Sequence, residues 1–251
     1  MTTEYEAALE QYEVPHESIE LVAYRNIPTV ELASVLANGA DLFHFIGHIE
    51  GSGLRCPDGH LDVAALPSAR IGVFFLNACQ SVHQGVRLVQ SGAMGGIATR
   101  RKVRNSAAGS LGATVSALLI AGFPIGEVIR LTRAAHPIAD RYVTLGDPWL
   151  DIGLPDQSLP YSLEIEPIAD DRFEVTLRPT LTLRARQGHV SVHRLRDSPE
   201  YRLTPAESTV TVDRTELKQL LASGRVPVRI GTELLWSDAC LRDVDRIERH
   251  R

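Results

Sequence analysis

The sequence predicts an α/β protein: a mostly parallel sheet flanked by helices, followed by a smaller β-rich domain. Three observations carry this expectation. Strand-like and helix-like stretches alternate through residues 1–153, the pattern of parallel strands joined by covering helices. RIGVFFLNA, residues 70–78, is apolar without a polar break, as a strand buried on both faces must be. Past Asp151 the apolar residues fall at every second position, which suits an antiparallel sheet with one wet face.

The elements follow in order. SIELVAY, residues 18–24, reads as a strand. TVELASVLANG, 29–39, reads as a helix that Gly39 stops. DLFHFIGH, 41–48, is an apolar strand, and RIGVFFLNA is the next. A short helix over 83–91 leads to strand GGIATR, 95–100. SAAGSLGATVSALLIA, 106–121, forms a helix of small residues, and a further helix runs from about Ile125 to Ala135, just after Pro124. RYVTLGDP, 141–148, is the last strand of this half. GLPDQSLP, 153–160, is rich in turn formers and separates a domain of residues 1–153 from one of residues 158–251. In the second domain YSLEIEPI, RFEVTLRPTLTLRARQ, HVSVHRL, STVTVDR and VPVRIG read as strands. One helix, TELKQLLASG at 215–224, interrupts them, with Asp213 or Thr215 as N-cap and Gly224 past its end.

Bulk properties exclude several classes. The net charge of −5 over 251 residues is mild, so neither a nucleic-acid binder nor an acidic tail is expected. Arg178, Arg184, Arg186, Arg194 and Arg196 alternate with apolar positions. They lack the interleaved aromatics of a single-strand binder and read as the wet face of a sheet. No apolar run approaches the roughly 20 residues that span a bilayer. The N-terminal stretch MTTEYEAALEQYEV has no apolar signal segment, so a cytoplasmic location is expected. Cys56, Cys79 and Cys240 are odd in number and form no CxxC pair, which argues against a disulfide framework or a zinc cluster. No metal or organic cofactor is expected. SGAMGG is a poor phosphate cradle, because its glycines precede and enter a strand instead of opening a helix.

Chemistry concentrates at two strand ends. FFLNACQS stops being apolar at Cys79, and FHFIGHIEG ends in His48. If these strands are parallel neighbours, their carboxyl ends lie about 5 Å apart. A histidine and a cysteine would then share one rim, where open α/β sheets bind ligands. A thiol is only slightly ionised at neutral pH, and an adjacent imidazole raises the thiolate fraction. The same histidine can later protonate a leaving amine. His44 lies deeper in the same strand and reads as packing or as a supporting partner. His60 and His83 read as loop or helix-start residues.

These segments resemble the CHAT family of caspase-like cysteine peptidases, over roughly residues 18–150. HFIGH resembles the family's histidine motif, with His48 in the catalytic place. ARIGVFFLNACQS resembles its nucleophile strand, with Cys79 as nucleophile. SGAMGGIAT resembles the following strand and LGDP, 145–148, the closing motif. The resemblance implies a caspase-like fold and a Cys/His dyad that cleaves peptide bonds, commonly in prokaryotic defence or regulated proteolysis. It implies a protein or peptide substrate and no cofactor. The alternative is a caspase-like scaffold that has lost turnover and binds a protein partner.

Departures from the family pattern sharpen the reading. Ile49 stands where such proteins carry glycine after the histidine; its backbone N–H, with that of Cys79, would form the oxyanion hole. Relatives carry aspartates near TRRKVRN, 99–105, whereas this chain offers Arg100, Arg101, Lys102 and Arg104. That loop is expected either to contact substrate and favour an acidic or neutral side chain before the scissile bond, or to be a solvated loop. Asp147 is the remaining candidate for a substrate-binding carboxylate, or else caps a turn in LGDP. A caspase-like sheet opens with a strand that residues 1–17 do not supply. The sheet is therefore expected to close up without it, or to be completed by a partner or second subunit.

Overall fold

The chain divides into two compact units, Met1–Pro155 and Asp156–Arg251, and the break falls inside GLPDQSLP. The structure, a computed structural model, describes residues 19–50, 53–102, 105–152, 159–182, 191–193, 200–202 and 206–249.

In chain order the first unit contains α1 (Thr29–Asn38), β1 (Ala40–Ile46), β2 (Ile49–Glu50), β3 (Gly53–Cys56), β4 (Gly59–Leu61) and β5 (Ile71–Asn77). It continues with α2 (Val82–Gln90), β6 (Gly95–Thr99), α3 (Asn105–Ile120), α4 (Ile125–Ala135) and β7 (Tyr142–Gly146). The main sheet has the order β1-β5-β6-β7. β1, β5 and β6 are parallel, as the alternating pattern predicts. β7 departs from it and runs antiparallel to β6.

The two central strands explain the apolar runs. Phe74, Phe75 and Leu76 of β5 and Ile97 and Ala98 of β6 are fully buried. Successive side chains point to opposite faces. Phe74 and Leu76 join a cluster with Leu32 and Leu36 of α1 and Leu88 of α2. Phe75 and Asn77 face the other way, toward α3. Each such ring or branched side chain removed from water contributes about 2 kcal/mol. Gly96 lets β6 approach β5, since a Cβ there would lie 2.1 Å from the Phe74 carbonyl oxygen.

Two expectations for this unit are corrected. The described residues of SIELVAY, 19–24, form no strand. Their alternation is a local signal, and a strand also needs a partner; Leu21, Val22 and Tyr24 stay exposed instead. Among the described residues nothing pairs with the outer side of β1, which is an edge. The second correction is the small sheet β2-β3-β4, whose strands are too short to show a period in sequence. Asp58 between β3 and β4 caps α1, accepting from the Thr29 N–H at 2.8 Å and from its hydroxyl at 3.0 Å. Those bonds hold the Asp58 carboxyl below the usual range.

The second unit contains β8 (Tyr161–Ala169), β9 (Arg172–Pro179), β10 (Ser191–His193), β11 (Glu200–Arg202) and β12 (Ser208–Asp213). After them come α5 (Arg214–Ala222), β13 (Pro227–Ile230), β14 (Glu233–Trp236), α6 (Ser237–Arg242) and α7 (Val244–Glu248). Its five-stranded sheet has the order β12-β9-β8-β13-β14. The expected antiparallel pairing holds except at β8 and β13, which are parallel. The single expected helix becomes three. Leu163, Ile165, Phe173 and Val175 meet Leu217 of α5 and Val244 and Ile247 of α7 in one core. On the opposite face Glu164 accepts from Arg178 at 2.8 Å and also from Arg229. Arg178 thus lies on the polar face that its alternation predicts. Arg184, Arg186, Arg194 and Arg196 lie outside the described residues. Asp213 forms the N-cap, in a capping box with Glu216.

Candidate active site

The site begins with strand register. The last paired positions of β1 and β5 are Ile46 and Asn77. His48 and Cys79 each follow their partner by two residues. Adjacent strands are about 4.8 Å apart, so both residues leave the sheet on the rim formed by the carboxyl ends of β1 and β5. His48 is exposed and Cys79 half-buried.

Local structure brings His48 there. Gly47 precedes it, and a Cβ at that position would come 2.7 Å from the tip of the Phe45 ring. The chain then turns directly into β2. The Arg55 N–H donates to the His48 carbonyl at 3.0 Å, which pins the histidine backbone against β3. Ile49 stands opposite Leu54 in the next pair. Hydrogen-bonded and non-hydrogen-bonded pairs alternate in an antiparallel ladder. The Ile49 N–H is therefore directed away from β3.

Cys79 sits in the turn between β5 and α2. Gln80 adopts φ +56°, a left-handed conformation that is uncommon for a side-chain-bearing residue. Buried hydrogen bonds hold this turn. The Ser81 hydroxyl donates to the Leu76 carbonyl at 3.0 Å and accepts from the Thr99 N–H at 2.8 Å. The Thr99 hydroxyl donates to the Ala78 carbonyl and accepts from the Ser81 N–H at 3.3 Å. Both side chains are fully buried. Just beneath the turn, the Asn77 amide donates to the Ala108 carbonyl at 3.1 Å. Its oxygen accepts from the Tyr142 hydroxyl at 2.7 Å. Gly112 leaves room for that amide, since a Cβ there would come 2.6 Å from the Asn77 nitrogen.

The other histidines and cysteines separate by environment. His44 stacks on Phe75, with ring centroids 4.4 Å apart, and its Nδ1 lies 3.5 Å from the Ser116 hydroxyl. Burial pushes its imidazole down to about 3, so it is neutral at physiological pH and packs. His60 lies in β4, with its Nε2 3.4 Å from Glu50. His83 is exposed in the first turn of α2. Burial raises the thiols of Cys56 and Cys240, the latter to about 11, which keeps both protonated. Among the described residues no group of three His, Cys, Asp or Glu side chains could hold a metal ion. No described helix is long and apolar enough to cross a membrane.

The basic loop and Asp147 fall on opposite sides of the sheet's length. Arg100 follows Thr99 at the carboxyl end of β6, on the rim of Cys79. The Arg100 N–H donates to the Arg141 carbonyl at 2.8 Å, its guanidinium donates to the Asp140 carbonyl at 3.3 Å, and Arg141 donates to the Lys102 carbonyl. Arg101 and Lys102 are exposed. Arg104 lies outside the described residues. Asp147 follows Gly146, which pairs with Gly95 at the amino end of β6. A five-residue strand spans roughly 16 Å, so the antiparallel course of β7 carries Asp147 away from Cys79. Of the two readings for Asp147, the structure shows the turn cap. Its carboxylate accepts from the Trp149 N–H at 2.9 Å and caps that turn.

Sequence reasoning missed the supports: Asn77, Ser81, Thr99 and Tyr142. The available signal was a polar residue closing an apolar strand, in FFLN and in GGIAT. No family model matches the sequence, and no curated protein matches it. The CHAT resemblance therefore rests on the motifs themselves.

Proposed function

We propose that the first unit is a cysteine endopeptidase in which Cys79 is the nucleophile and His48 the general base and acid. The supporting observation is the β1–β5 register, whose last paired positions, Ile46 and Asn77, each precede one of the two residues by two. In this reading the Cys79 thiolate attacks the scissile carbonyl carbon, and a C–S bond forms. The N–H groups of Ile49 and Cys79 take the oxyanion. His48, protonated by the thiol, gives its proton to the departing amine as the C–N bond breaks. His48 then takes a proton from water, which attacks the thioester and releases the acid and the thiol. Regulated proteolysis or defence is the setting that the motif resemblance suggests.

A peptidyl electrophile tests the reading. The native chain is expected to label at Cys79, leaving the buried Cys56 and Cys240 untouched. His48→Ala should slow labelling on the order of a hundredfold or more, and Cys79→Ala should abolish it. A native chain that labels no faster than Cys79→Ala would instead be a binding scaffold.

A further inference from the structure

We propose that the loop Arg100–Lys102 recognises an acidic substrate side chain, so that the site cleaves after Asp or Glu. This rests on the endopeptidase reading above. The loop's position comes from hydrogen bonds. Thr99 bonds directly to Ala78 and Ser81, on either side of Cys79 and Gln80. Arg100 and Arg101 are the next residues along the chain. Long cationic side chains therefore start beside the nucleophile turn.

The charge balance there is one-sided. Arg133 and Arg141 stand beside the loop, since Arg133 donates to the Tyr142 carbonyl and Arg141 to that of Lys102. Asp140 is the neighbouring acid, and Arg133 lies 3.6 Å from it. Among the described residues, Arg100, Arg101 and Lys102 form no ion pair. Across the rim Glu50 is already matched by Arg55 at 3.0 Å. An incoming carboxylate would find donors in a fixed setting, because three hydrogen bonds tie the loop to the segment Pro137–Arg141. Guanidinium groups suit that role, since they bind carboxylates through paired N–H donors.

Fluorogenic peptides that differ only in the residue before the scissile bond test the proposal. Asp or Glu should exceed Ala in kcat/KM by roughly 10- to 100-fold, the discrimination that charge-assisted hydrogen bonds provide, and Arg should be cleaved most slowly. The preference should shrink as salt is raised, because this rim is open to solvent. R101E should erase the preference or turn it toward Arg, with an unchanged melting temperature showing that the variant folds. Equal or faster cleavage after Arg, or an R101E chain with the native preference, overturns acidic selection. If Cys79 still takes a peptidyl electrophile in that case, the endopeptidase reading survives. A chain that neither labels nor cleaves overturns both.

Discussion

The two ends of the main sheet are built from different materials. At the carboxyl ends of β5 and β6 the turns are held by side chains: Ser81, Thr99, Asn77 and Tyr142 share buried hydrogen bonds. At the amino ends the turns are held by backbone. Gly39, Gly92 and Gly146 all adopt positive φ there. A Cβ on Gly146 would lie 2.4 Å from the Met94 carbonyl oxygen. Glycine turns bring strands close and leave no functional group behind. Hydroxyl and amide networks cost more sequence, but they aim a neighbouring side chain. The end that carries His48 and Cys79 is the end built to aim.

Acid should separate the two ends most strongly. His44 sits toward the carboxyl end of β1, and burial holds it at about 3 against an ordinary value of 6.5. A histidine buried neutral binds its proton more readily when unfolded. Its contribution is therefore complete above about pH 6.5 and is lost as pH falls toward 3. At roughly 1.4 kcal/mol per pH unit, stability should drop by up to about 3 kcal/mol between pH 6.5 and pH 4. His44→Phe should flatten that limb in denaturant melts, and an unchanged limb would refute this account.

Gly146→Ala probes the opposite end. The left-handed φ and the Met94 clash together should cost about 2–4 kcal/mol. Labelling of Cys79 per folded molecule should stay within about twofold, because the change lies a strand's length away. Slow labelling in the folded variant would mean that the ends are coupled.

Asp147→Ala gives the smallest effect. Loss of the turn bond to Trp149 should cost about 1 kcal/mol, with peptide cleavage unchanged. A raised KM for basic peptides would restore Asp147 as a substrate contact.

Much of this arrangement was legible in sequence, for identifiable reasons. Helices such as Ile125–Ala135 carry their own start signal in Pro124. β5 announces itself because burial on both faces excludes polar residues. Asp213 and Glu216 spell out the cap of α5. Direction was less legible: nothing in RYVTLGDP records that β7 runs against β6, and the place of Asp147 depends on that direction. SIELVAY alternates as a strand does, yet pairing depends on a neighbour that local pattern cannot supply. The His48 and Cys79 positions could be read as strand ends. Their supports could not, since Tyr142 and Asn77 are 65 residues apart and meet only in the folded chain.

The Ser81–Thr99 linkage has a mechanical consequence. Thr99 anchors the Cys79 turn and is also the residue from which the cationic loop departs. Tension applied by a ligand at Arg101 would travel two peptide links and one hydrogen bond before reaching the backbone beside the sulfur. If the loop grips a substrate as proposed, grip and alignment share a single fulcrum, and a chain that fits the loop well would also steady the Cys79 sulfur.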